Sequence, residues 1–265
     1  MQNDSLYGVC APEIGWVPAP RYLLRRERIL EIIKLLPRGD ILEIGCGAGA
    51  MLVDLSNAGF NCTALETSVP ANQIAKELNK HHQSTSIHLE PSDNWAERFD
   101  YIFAFEVLEH NKDDKGILEH WREWLKPNGT MVLSVPAKPE LWNARDVWAG
   151  HYRRYDRSSI TSVLKEAGFM IEHLESYGFP LFNLLESIGA ISHGKFFSRQ
   201  KELPIGDKFS TAKSGIDRSF EVRIFPLQAS RLGKSLMKFF FFLQTLFLKY
   251  DIGNGYIVTV TKNER

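Results

Sequence analysis

The sequence predicts an α/β protein, a mostly parallel sheet with helices on both faces. Three observations carry that reading. From residue 41 onward, short apolar runs alternate with stretches of helical periodicity, the pattern of successive β-α units. A glycine-rich turn, GCGAG at 45–49, stands between the first apolar run and the first helical stretch. The chain has 265 residues, 44% of them hydrophobic, enough for one large domain with a real core.

The elements follow in order. ILEI (41–44) is a strand, and Met51, Leu52, Leu55 and Ala58 share one face of the helix after the turn, which Gly59 stops. CTALE (62–66) is the next strand, and residues 69–81 form a helix carrying Ile74, Ala75 and Leu78. SIHLE (86–90) and YIFAF (101–105) are the third and fourth strands. Ile117, Leu118, Trp121 and Leu125 mark a helix, with Trp121 and Trp124 expected at its core and its surface. It ends in a turn, KPNG (126–129), before the strand TMVLSVP (130–136). Asp156 caps a helix bearing Ile160, Val163, Leu164 and Ala167. MIEHLESYGF (170–179) and GYIVTVT (255–261) supply the last two strands.

Two regions lie outside this alternation. Residues 1–35 form an N-terminal helical cap built on RYLLRRERILEII, ahead of an α/β domain at 36–265. Residues 180–254 separate the last two strands and read as a helical insertion, a lid or substrate-recognition element over the site. Within it LMKFFFFLQTLFL (236–248) is too short to span a bilayer. It reads as a buried helix, or as one that lies against a membrane or lines an apolar tunnel.

Bulk properties exclude several classes. Formal net charge is zero, so no global field favours nucleic acid. Cys10, Cys46 and Cys62 make no metal-ligand spacing, so no metal site is expected. They suit a reducing, cytoplasmic compartment. MQNDSLYGVC has neither a basic n-region nor an apolar h-region, so no signal peptide is expected.

In sheets of this kind ligands bind beyond the carboxyl ends of the strands. The glycine turn is therefore the first candidate site. Gly45-x-Gly47-x-x-Ala50, with Glu66 on the next strand, satisfies a dinucleotide pattern, and a nicotinamide-dependent oxidoreductase is one reading. Glu43 weighs against it, because a carboxylate at the end of the feeding strand repels a pyrophosphate and attracts a cation. Glu43, Gly45, Gly47 and Gly49 together suit a cationic cofactor.

LEIGCGAG (42–49) resembles the first motif of the class I S-adenosylmethionine-dependent methyltransferases. TALETS, FEVLEH (105–110) and LKPNGTMVLSVP (125–136) match three later motifs of that family in the same order. GHYRRY (150–155) and GNGYIVTVTK (253–262) are similar to one large bacterial branch of small-molecule enzymes. The resemblance implies a Rossmann-like, seven-stranded sheet. Its last strand runs antiparallel and enters between the two before it. It also implies S-adenosyl-L-methionine as cofactor, Glu66 on the ribose hydroxyls, and Glu106 facing the methionine part. Where the family holds the adenine ring this chain has only the short PSDNWAERFD, and Asp93 is the candidate.

Methyl transfer from a sulfonium is an in-line displacement, so the enzyme mainly aligns the reactants and excludes water. An alcohol or ammonium acceptor must also lose a proton, and His110 and His151 are the candidate bases. Tyr152, Arg153, Arg154 and Tyr155 in GHYRRYDR (150–157) read either as substrate contacts or as a salt-bridge network fixing the loop. The aromatic insertion and the arginines suggest a small-molecule acceptor that is apolar or lipid-linked and carries an anionic group. A fold that binds the cofactor without turnover is the third reading.

Overall fold

The computed structural model describes residues 2–186, 216 and 218–263. A two-stranded antiparallel hairpin, β1 (Gln2–Asp4) and β2 (Gly8–Cys10), precedes helix α1 (Pro20–Lys34). The N-terminal cap is therefore not purely helical. The Asp4 carboxylate accepts the backbone N–H groups of Leu6 and Tyr7, a side-chain turn that helical periodicity does not reveal.

The α/β body runs β3 (Asp40–Ile44), α2 (Ala50–Asn57), β4 (Asn61–Leu65), α3 (Val69–Asn79), β5 (Thr85–His88), β6 (Phe99–Phe105), α4 (Asp114–Trp124) and β7 (Leu125–Pro136). It continues through α5 (Ala144–Ala149), α6 (Arg157–Glu166), β8 (Phe169–Tyr177), α7 (Ser219–Gln228), α8 (Arg231–Phe247) and β9 (Gly255–Lys262). The seven-stranded sheet has the order β5-β4-β3-β6-β7-β9-β8. Pairs among β3 to β7 are parallel, and β9 is antiparallel to both β7 and β8. This is the arrangement the family resemblance implies.

Strand alternation divides the core into two layers. Leu42, Ile102, Ala104, Met131 and Leu133 pack with α4 and α6 on one face. Ile41, Ala64, Phe103 and Val132 pack with α1, α2 and α8 on the other. Glu43 has the parity of Ile41, so it points toward α1 and not into the α4 layer.

Two expectations are corrected. KPNG is not a turn between helix and strand, because β7 begins at Leu125 and carries it as a bulge. The register passes from Phe99↔Leu125 to Tyr101↔Thr130, and Asn128 takes a positive φ of 59°. Trp124 is not on the surface: it is 6% exposed and meets the Trp95 ring edge-on at 5.3 Å. Trp95 arrives from the segment after β5, which the periodicity of α4 alone cannot foresee.

The insertion is described in part. Phe196 and Phe197 lie outside the described residues. Helices α7 and α8 fold back on the cap, where Gln244 donates to the Leu24 carbonyl and to Glu27 and accepts from the Gly178 N–H. Tyr7 Oη donates to the Gln228 carbonyl. Cap and insertion thus close one face of the sheet together, next to the carboxyl ends of β3 and β6.

Candidate active site

The turn after β3 is built from backbone conformations that side chains resist. Gly45, Gly47 and Gly49 take φ of 66°, 56° and 72°. A Cβ on Gly45 would stand 2.6 Å from Val107, so this glycine lets the turn pass the segment after β6. At Gly47 nothing lies within 4 Å of that position, and the backbone is open toward the cavity.

That cavity, of about 1000 Å³, is lined by the glycine turn, by Glu43 and Glu66, by Glu106, Val107 and His110, and by residues of α1 and of 145–154. Glu66 accepts the N–H groups of Gly47 at 2.7 Å and Ser68 at 2.8 Å, locking the end of β4 to the turn. Burial raises its carboxyl above the ordinary value, against the pull of those two N–H groups. Glu43 is 3% exposed, and its Oε2 has no hydrogen-bond partner among the described residues. Burial pushes its pKa up to about 8, opposed by Arg25 and assisted by Glu66.

Glu106 leaves β6 with φ of 59°. It accepts from Ser134 Oγ at 2.9 Å and Tyr177 Oη at 3.3 Å, and Arg25 lies 3.7 Å away. Next to it, Glu109 is completely buried, and neither of its carboxylate oxygens has a hydrogen-bond partner among the described residues. Burial drives its carboxyl well above the usual range. His110 Nδ1 is also buried without a partner. Burial and the neighbouring His151 lower the His110 pKa to about 3, so its imidazole is neutral at physiological pH. The two imidazoles meet edge-on at 4.8 Å. His151 Nδ1 is 2.9 Å from Asp146 Oδ1, and its Nε2 is 3.8 Å from Glu109 Oε1.

The fold therefore brings Glu43, Gly45, Gly47, Glu66, Glu106, His110, His151, Tyr152 and Arg154 to one cavity. Asp93 does not join them: it is exposed at the start of a single turn, Asp93–Trp95, and does not line the cavity. Gly49 caps α2 behind the turn. Arg153 and Tyr155 are turned onto Asp114, at 2.6 Å and 3.0 Å. Arg154 is spent on Asp146, Glu186 and the Ala137 carbonyl. In this stretch the network reading describes three of the four side chains.

Sequence reasoning missed Arg21, Tyr22 and Arg25, which line the cavity from α1. The basic run RYLLRRER looks like a solvated helix face. The signal available was the i, i+4 spacing of Arg21 and Arg25, which puts both on one side of the helix.

A family model described as a methyltransferase domain matches residues 20–174. The chain belongs to the class I methyltransferase family. It is 30% identical over 104 residues to the ubiquinone biosynthesis O-methyltransferase of Haemophilus ducreyi, covering 36% of this chain and 44% of that protein. The Bradyrhizobium diazoefficiens protein of the same name is 34% identical over 113 residues, covering 41% and 44%. The chain spans about half the length of the curated relatives it matches. Among solved structures, a putative sarcosine dimethylglycine methyltransferase from Galdieria sulphuraria superposes with a TM-score of 0.56 at 16% identity, over 92% of this chain and 86% of that one. Haemonchus contortus phosphoethanolamine N-methyltransferase 2, in complex with S-adenosyl-L-methionine, gives 0.54 at 16%, over 91% and 52%. At these identities the structures establish the fold.

The cofactor of this methyltransferase family carries an ammonium and a sulfonium. The site fits such a group, because a buried carboxylate with a free oxygen and an open glycine backbone stand side by side on one wall.

Removing the Arg154 guanidinium strands two buried carboxylates. Arg154→Ala is expected to cost about 3–5 kcal/mol of stability, read from chemical denaturation. A loss below about 1 kcal/mol, the range of exposed ion pairs, would contradict the structural role given to this arginine.

Proposed function

We propose that the chain transfers a methyl group from S-adenosyl-L-methionine to a small molecule that presents a hydroxyl. The observation that carries this reading is Glu43, buried and short of a partner beside the open backbone of Gly47. S-adenosyl-L-methionine supplies a methyl group activated on a positively charged sulfur. Glu43 balances the cationic end, Glu66 takes the ribose hydroxyls, and the glycine turn lets the ligand approach the backbone. Arg25 and Tyr177 hold the Glu106 carboxylate at the cavity wall.

The opposite wall suits the acceptor. Asp146 orients His151 through Nδ1, leaving Nε2 as the atom best placed to take a hydroxyl proton. His110, with its pKa lowered to about 3, binds a proton too weakly for that role. Arg21 lines the cavity and pairs with no acid among the described residues, which favours an acceptor bearing an anionic group. The identity to ubiquinone biosynthesis enzymes supports an O-methylation of an apolar molecule.

An apolar acceptor accords with a second feature. Leu232, Leu236, Phe239, Phe242, Leu246 and Tyr250 are exposed, and their spacing puts them on one stripe of α8 and the turn after it. Arg231, Lys238 and Lys249 run along one edge of that stripe and pair with no acid among the described residues. No helix among the described residues is long and apolar enough to cross a membrane. We infer that α8 lies on an anionic lipid surface, its cations at headgroup level.

Two outcomes are expected. A free Glu43 titrating near 8 is protonated at neutral pH and must ionise to meet a cation. Binding then releases a proton, and affinity for S-adenosyl-L-methionine rises about tenfold per pH unit between about pH 6 and 7.5. Calorimetry should show that slope, and Glu43→Gln should abolish it; a slope retained by the variant would refute the role of Glu43. Separately, the protein should float with phosphatidylglycerol vesicles and not with phosphatidylcholine vesicles, and Phe239→Glu with Phe242→Glu should release it. Flotation unchanged in the double variant, or a dimer broken by it, would overturn the membrane reading.

A further inference from the structure

We propose that Glu109, His110 and His151 form a binding site for one divalent cation of the zinc class, at the acceptor end of the cavity. The three side chains bring one donor atom each to within 4.8 Å of one another. They come from two segments about 40 positions apart in sequence, which is why no ligand spacing announces them.

The state of each donor is the argument. Glu109 is fully buried, and both of its carboxylate oxygens lack a hydrogen-bond partner among the described residues. The nearest cationic or donor side-chain atom recorded beside it is His151 Nε2, 3.8 Å from Oε1. An ionised carboxylate left so costs several kcal/mol in a protein interior, and a cation removes that cost. His110 lines the cavity and has its buried Nδ1 without a hydrogen-bond partner among the described residues. His151 is anchored through Nδ1 to Asp146 and turns Nε2 toward Glu109. His151 thus has one ring nitrogen fixed by an outer hydrogen bond to a carboxylate and the other turned to the site, the arrangement that orients metal-ligating histidines.

Two imidazoles and one carboxylate suit zinc and its transition-metal neighbours; magnesium and calcium prefer all-oxygen sites. In a tetrahedral site with bonds of about 2.0–2.2 Å, donors stand about 3.4 Å apart, so seating the ion draws them inward by about an ångström. Three protein ligands leave a position open. His110 and His151 line the cavity, so that position and the entry path face the acceptor. The role of the ion rests on the methyltransferase reading: an acceptor hydroxyl bound there is acidified and gives its proton to water. His151 Nε2 is then a ligand, and the ion does what that imidazole would otherwise do as a base. Binding of the ion does not depend on that reading.

The test uses the untagged full-length protein, stripped with a chelator and titrated with Zn²⁺ by calorimetry, then with Co²⁺ by absorption. S-adenosylhomocysteine binding is measured on the same preparations. One equivalent of Zn²⁺ is expected, weakened at least tenfold in Glu109→Gln and in His151→Asn while S-adenosylhomocysteine still binds. Wild-type protein that binds S-adenosylhomocysteine but no stoichiometric Zn²⁺ would overturn the proposal, as would undiminished Zn²⁺ affinity in Glu109→Gln. Zn²⁺ bound without S-adenosylhomocysteine would sink the methyltransferase reading and leave the metal site standing.

Discussion

The site depends on a buried carboxyl at the end of the central strand that is costly to ionise. Glu43 occupies a position where strand alternation would place an apolar residue against α1. Buried in the cavity wall, with one oxygen unpartnered among the described residues, it is unfavourable to folding whenever it ionises. Its neighbours are organised around that cost. Arg25 reaches toward it from α1, and the open backbone at Gly47 leaves room for a ligand that can supply the missing positive charge. A phosphate-bearing cofactor would aggravate the same cost, which links one residue to the choice of chemistry.

The cap and the insertion are part of the same arrangement. Helix α1 contributes Arg21, Tyr22 and Arg25 to the cavity, and its position is set from outside by Gln244 of α8. The opposite wall is held just as firmly. Asp146 is kept ionised by His151 and Arg154, whose hydrogen bonds outweigh the effect of burial. Arg154 ties Asp146 to Glu186, and Arg153 and Tyr155 fasten the loop to Asp114 at the start of α4. One wall carries two carboxyl groups, Glu43 and Glu66, and the other carries two imidazoles with the buried Glu109 behind them.

Much of this was legible in the sequence because its signals are local. Periodicity located the seven sheet strands, and the glycine turn with Glu43 and Glu66 marked one wall of the cavity. What escaped detection depends on contacts distant in sequence. The burial of Trp124 needs Trp95, which arrives from a different segment. Arg25 looks like surface until α1 is laid over the cavity. Glu109 and His110 were visible as LEH, but their convergence with His151 exists only after α5 and its flanking loops fold back. KPNG has turn composition in either setting, so local sequence does not separate the bulge at Asn128 from a turn.

The most direct measurement is thermal unfolding of the purified protein with S-adenosylhomocysteine, with NAD, and with neither. At a hundred times its dissociation constant, a bound ligand adds about 2.7 kcal/mol to stability, a clear upward shift in Tm. The shift is expected with S-adenosylhomocysteine alone, and it should shrink in Glu66→Ala. A shift with NAD alone would contradict the account, because it would place a pyrophosphate beside Glu43.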